Sequence, residues 1–217
     1  MGYMMRKLTG EEFAKYVKIL QLAEKKDLLY AAVAAICIGI GARIGEVLRL
    51  RLRDIVNPDG SAKNEIVRSV EKKRRIDFLR CAFPVDFFGN IIEKHAAQQV
   101  LICGTDPDDY AFCRRKSGRP VTYLSAWRHN RSFLQTAGVP VSGVAFHGLR
   151  KTFLTEYFLQ IYKKTGDMFL AITATQKVAG HEDFGTTARY ISTAIAPSTQ
   201  EVQRGIWEKM KENLESY

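Results

Sequence analysis

Apolar positions in the first third of the chain recur at helical spacing. Thr9 and Glu12 form a capping-box pair, and Phe13, Val17 and Leu20 then fall on one face, which predicts a helix. A second helix is predicted from near Asp27 through Ala31-Ala32-Val33-Ala34-Ala35-Ile36, apolar nearly all round as at the centre of a bundle, with Gly39 and Gly41 ending it. Asn57-Pro58-Asp59-Gly60-Ser61 reads as a turn. Glu65 to Val70 and Ile76 to Leu79 then flank the charged run Glu71-Lys72-Lys73-Arg74-Arg75, the pattern of a β-hairpin with a basic tip. Pro84 opens a helix to about Val100. Residues 106–109 read as a loop and Tyr110 to Cys113 as a short extended piece. A helix is expected from about Thr122 to Ala137, stopped by Gly138, and another opens at Phe146. Further helices are expected over about Asp167 to Val178, Gly185 to Thr193, and Ser198 to near the end. The last carries Val202, Ile206, Trp207 and Met210 on one side. There is no repeat, low-complexity segment or clear linker. The fold class expected is α+β and mainly α-helical, one domain over residues 1–217 with a small antiparallel β-sheet and a helical tail over 197–217.

Composition narrows this picture. Across 217 residues the apolar content is 46%, which fits a packed globule. The apolar stretch from Leu28 to Ala42 is about fifteen residues, short of the roughly 20 that span a bilayer, so it reads as a buried core helix. The N-terminus lacks the apolar core of a signal peptide. Cysteines at 37, 81, 103 and 113 show no C-x-x-C spacing and no metal-site pattern with His95 or His129. They read as reduced thiols in a cytoplasmic protein. The net charge of +10 favours a polyanionic partner.

Basic residues cluster on the hairpin tip (Lys72, Lys73, Arg74, Arg75), on the loop Arg114-Arg115-Lys116-Ser117-Gly118-Arg119, and on the helix carrying Arg128, His129 and Arg131. Each cluster is readable either as a solvated face or as a contact to a phosphate backbone. Arg43 is harder to explain as surface. It follows directly on the most apolar helix, where a charge must be paired or must face a cleft. His147 and Arg150 lie three apart at a helix start and so share a face. Further on, Gly180-His181 is followed nine residues later by Tyr190, with Thr186-Thr187 between.

Arg43-Ile44-Gly45-Glu46, the basic hairpin, His147-Gly148-Leu149-Arg150, and Gly180-His181 with Tyr190 occur in that order. Together they resemble the catalytic domain of the tyrosine recombinases, the phage-integrase and Xer-like family, from about Leu28 to Ser192. The resemblance implies that Arg43 and Arg150 clamp a scissile DNA phosphate and that His147 and His181 complete its cradle. It also implies that Glu46 supports Arg43, that a hairpin lysine (Lys72, or alternatively Lys73) is the general acid, and that Tyr190 is the nucleophile. Double-stranded DNA is the implied partner, in a homotetramer on DNA, and no membrane partner, cofactor or metal is implied. Arg74, Arg75, Arg114, Arg115, Lys116, Arg119, Arg128, Arg131 and Lys151 are the candidate DNA contacts.

The chemistry accounts for the residue types. A phenolate attacking a phosphodiester builds charge on the non-bridging oxygens, and arginine, always protonated, binds such oxygens bidentately. Three departures stand out. Only 42 residues precede Arg43, so the separate N-terminal DNA-binding domain common in the family is expected to be absent. Lys151 stands where the family often has histidine. The segment from Tyr162 to Gly180, with Met168-Phe169-Leu170-Ala171, is longer than usual. A catalytically inactive DNA-binding relative and a type IB topoisomerase-like relaxing activity are the alternative functions.

Overall fold

The computed structural model describes residues 6–24, 26–71, 76–103, 106–114, 118–183, 185–188 and 191. The hairpin tip with Lys72, Lys73, Arg74 and Arg75 lies outside the described residues. So do Arg115 and Lys116 of the basic loop, Tyr190, and the tail expected over 197–217.

The helix α1 (Gly10–Gln21) begins where the capping box predicts: Thr9 Oγ1 accepts from the Glu12 amide at 3.3 Å, and the Glu12 carboxylate accepts from the Thr9 amide at 2.9 Å. The same carboxylate receives both Arg6 guanidinium nitrogens, at 2.6 and 2.8 Å. Its buried face is Tyr16, Val17 and Leu20. The centre of the molecule is α2 (Leu28–Gly39), in which every residue but Leu29 is buried. Its alanines let neighbouring helices approach from several sides, and α1, α5 (Val85–Cys103), α6 (Tyr123–Thr136) and α7 (Phe146–Thr165) all pack on it. Two four-residue helices, α3 (Ile44–Val47) and α4 (Leu52–Ile55), follow. They are too short to leave a periodic signal in the sequence.

The only sheet among the described residues is the antiparallel hairpin of β1 (Glu65–Glu71) and β2 (Ile76–Ala82), in register from Glu65↔Ala82 to Glu71↔Ile76. β2 runs three residues further than the sequence indicates. The expected extended piece at residues 110–113 is instead two isolated bridges, Arg51↔Tyr110 and Cys113↔Pro120, with a turn between them. Arg51 stands at the start of α4 and belongs to no strand, so no ladder propagates from Tyr110.

His129 also differs from its expected place on a basic face. Its ring stacks on Tyr30 at 3.6 Å, and Nδ1 donates to the Ser125 carbonyl at 2.9 Å. Helical periodicity puts Arg128 and Arg131 outward, whereas residue 129 falls toward α2.

Thr122 caps α6, accepting from the Ser125 amide at 3.2 Å, and Asp167 caps α8 (Met168–Ala179), accepting from the Leu170 amide at 2.9 Å. The longest helix among the described residues, α7, packs against both α2 and α8. A small second core of Phe158, Ala171 and Ile191 seals α7 and α8 to the helical residue 191. Gly180, at φ 66°, closes α8. A Cβ there would sit 3.0 Å from Val70 and Leu79, so the hairpin rests directly on this helix end. Among the described residues no helix is long and apolar enough to cross a membrane.

The turn after α2 depends on Gly41, at φ 61°, where a Cβ would lie 2.3 Å from Phe153 Cδ1 of α7. Gly41→Ala combines left-handed strain with overpacking, and should cost about 2–4 kcal/mol. Urea unfolding of the variant beside the parent protein measures it.

Candidate active site

A cleft of about 380 Å³ opens where α3 meets the start of α7, lined by Arg43, Ile44, Gly45, Glu46, Arg49, Phe146, His147 and Arg150. Three of the four groups singled out in sequence as a phosphate cradle therefore share one hollow, and the fourth, His181, touches Arg150 from behind.

Arg43 enters from the turn after α2 with extended backbone, at the residue before α3. Its side chain is 39% exposed, and Nη1 donates to Glu46 Oε1 at 2.9 Å. Glu46 is only 4% exposed and reaches back one helical turn to accept the Arg43 amide at 2.9 Å. Its second oxygen also takes Arg68 Nη1. Arg68, from β1, is 0% exposed, and its Nη2 donates to the Val178 carbonyl at the end of α8 at 2.7 Å. One carboxylate thus holds two guanidiniums, leaving a net positive charge with one of the two facing the cleft.

Arg150 sits on the first turn of α7 and is 1% exposed. Nη1 donates to the Gly41 carbonyl at 2.5 Å; Nη2 donates to the Ala179 carbonyl at 2.7 Å and to His181 Nε2 at 2.9 Å. These three acceptors come from two separate segments, the turn after α2 and the end of α8, and all are neutral, so they fix the plane of the guanidinium while its charge still acts on the surroundings. Both histidines register it. Burial, then the charges of Arg150 and Arg43, hold His147 below its usual range. For His181, burial first, followed by Arg150, Arg43 and Arg68, lowers the value to about 4 against a small opposing effect of Asp183. His181 Nδ1 is paired with Thr187 Oγ1 at 2.9 Å.

Other candidate residues lie elsewhere. Lys151 is half-buried, held below its usual range by burial and by Lys7, and is not among the cleft residues. Arg114 lies over the Tyr30 ring at 5.8 Å and Arg131 over Trp127 at 5.5 Å; Arg119 and Arg128 are exposed. Among the described residues no three His, Cys, Asp or Glu side chains converge as a metal site would require.

Arg68 is the group that sequence reasoning missed. Period-2 alternation puts it on the same face of β1 as buried Ile66 and Val70, so an arginine on the apolar face of a strand was the available signal. Thr187 and the Gly41 carbonyl were missed too, because their roles depend on contacts distant in sequence.

Arg68→Met should leave Glu46 buried with one cation fewer and cost about 3–5 kcal/mol, read by urea unfolding. The folded value of His181 lies below its unfolded value near 6.5, so between about pH 6.5 and 4 the unfolded chain binds a proton that the folded chain refuses. Stability from this site is full above that window and is lost as pH falls through it. Buried His95, also at about 4, contributes with the same sign. The urea midpoint should therefore fall across this window, and His181→Asn should make the fall shallower.

A sequence model of the phage integrase family matches residues 7–196. Among curated protein sequences none matches. In fold the chain is similar to the XerH site-specific recombinase bound to a palindromic difH substrate in a post-cleavage complex, with TM-score 0.69 and 20% identity over 94% of this chain and 54% of that one. The chain thus spans about half the length of XerH. It is also similar to the XerA recombinase (TM-score 0.65, 19% identity, 97% and 66% of the two chains). A lambda integrase tetramer bound to a Holliday junction is similar too (TM-score 0.57, 16% identity, 92% and 51%). With 7–196 of its residues under the family model and the matching fold beneath them, the chain belongs to the phage integrase family, the tyrosine recombinases.

Proposed function

We propose that this chain is the catalytic domain of a site-specific DNA recombinase that cuts and rejoins double-stranded DNA through Tyr190. The observation that carries this reading is the convergence of Arg43, His147 and Arg150 on one cleft, with Arg150 immobilised by neutral acceptors. A cation held this way needs no reorganisation when an anion arrives, which is the condition for strong transition-state stabilisation. The remaining support is the family membership and the net charge of +10.

In this mechanism the non-bridging oxygens of the scissile phosphate bind Arg43 and Arg150. The Tyr190 oxygen attacks phosphorus as its proton leaves, and the bond to the 5′ oxygen breaks. That oxygen takes a proton from Lys72, with Lys73 as the alternative donor. The product is a 3′-phosphotyrosine and a free 5′-hydroxyl. Attack by a different 5′-hydroxyl reverses the step and exchanges strands, so the bond energy is conserved and the steps balance without a cofactor. Both histidines are neutral near pH 7. Because His181 has its two ring nitrogens engaged by Arg150 and Thr187, His147 is the one suited to receive the tyrosine proton. Strand exchange of this kind joins two DNA duplexes, and four protomers on the junction are proposed, as in the lambda integrase tetramer bound to a Holliday junction. Exposed Arg119, Arg128 and Arg131 would meet the backbone beyond the cleavage point.

The test is a set of nicked suicide substrates cut from DNA flanking the coding sequence, incubated in EDTA and run on denaturing gels. The wild-type chain should form a covalent DNA adduct, and Tyr190→Phe should bind the same DNA without forming one. DNA binding with no adduct on any substrate would make the chain a non-catalytic relative. An adduct from Tyr190→Phe would overturn the choice of nucleophile. Relaxation of supercoiled plasmids irrespective of sequence would point to a topoisomerase.

A further inference from the structure

Thr187 lies on the short helical stretch 185–188 and is 0% exposed, so its hydroxyl calls for a hydrogen-bond partner within the protein. Its Oγ1 is 2.9 Å from His181 Nδ1, and His181 Nε2 is 2.9 Å from Arg150 Nη2. Arginine nitrogens only donate, so Nε2 must offer its lone pair to Arg150. A neutral imidazole has one N–H, which is then on Nδ1 and is donated to Thr187. At about 4, the His181 value leaves the ring neutral at pH 7, consistent with this single tautomer; burial sets it first, then the charges of Arg150, Arg43 and Arg68, with Asp183 opposing. The hydrogen bonds therefore run in one direction, from Arg150 through His181 to Thr187. The arginine end is anchored by the Gly41 and Ala179 carbonyls, and the threonine end is three residues before Tyr190 in sequence.

We infer that Thr187 is a positioning residue that, through His181, registers the segment bearing Tyr190 to the phosphate-binding Arg150 and fixes the tautomer of that histidine. The inference rests on the proposed function in taking Tyr190 as nucleophile. Its physical content is that Thr187, three residues before Tyr190 in sequence, and Arg150 are not held independently. Two hydrogen bonds in series through His181 join them, and this link exists only while the ring carries its proton on Nδ1. Thr187 itself touches no reacting atom.

Two variants separate this role from plain packing. Thr187→Val keeps shape and removes the hydroxyl; Thr187→Ser keeps the hydroxyl and removes a methyl. With ¹⁵N-labelled histidine at pH 7, the wild-type and serine proteins should show His181 as the pure Nδ1–H tautomer, and the valine protein a mixture. On the suicide substrate, the single-turnover adduct rate should fall about 10- to 100-fold in Thr187→Val, the range for losing a group that orients a ligating histidine, with DNA affinity within about twofold and the rate restored by serine. Wild-type rate and tautomer in Thr187→Val would overturn the inference, as would a serine variant as slow as the valine one. Should Thr187→Val not fold, Thr187→Ala under the same two readouts decides. If the wild-type chain itself forms no adduct, the proposed function fails, while the nitrogen spectrum still rules on the Thr187–His181 link.

Discussion

The carboxylate of Glu46, sunk between two arginines, is the constraint from which the rest of the site follows. A buried carboxylate is costly unless paired, and a buried guanidinium equally so. Neither Glu46 nor Arg68 is tolerable without the other, and Arg43 completes the neutralisation of one while keeping its own face toward the cleft. Because Arg68 also grips the Val178 carbonyl, the same cluster joins α3, β1 and the end of α8. Three elements far apart in sequence are thereby joined by charge, in addition to the apolar contact of Val70 and Leu79 with the end of α8.

The second constraint is geometric. The helix α2 is buried nearly all round, so the chain leaving it has no freedom except at the glycine turn, and that turn presents a carbonyl to Arg150. Arg43 and Arg150 are therefore spaced by the backbone between Gly41 and Ile44 and not by side-chain choice. The walls of the cleft are α3 and the first turn of α7, which meet at this turn.

Much of this was legible in sequence, for identifiable reasons. The capping box at Thr9, the all-apolar run of α2, the turn at Asn57 to Ser61 and the paired strands of the hairpin are local signals, and each has its expected form in the structure. Arg43 announced itself because a charge after a buried helix requires an explanation. Arg68 did not, although alternation along β1 pointed inward, because a basic residue near a basic hairpin tip reads at first as surface. His129 was misjudged for the opposite reason: it shares a helix with two exposed arginines, and only the tertiary stack on Tyr30 separates it from them. The Thr187–His181 pairing joins residues close in sequence, yet its meaning requires Arg150, more than thirty positions away from both, so no local pattern could disclose it.

The last two carbonyls of α8 each receive an arginine, Val178 from Arg68 and Ala179 from Arg150. Carbonyls at a helix C-terminus have no partner within the helix, and the aligned peptide dipoles place about half a negative charge there. α8 thus works as a built-in partial counter-anion for Arg68 and Arg150. Half a charge offsets only part of two full ones, so this helix end eases the repulsion between the two guanidiniums without neutralising them.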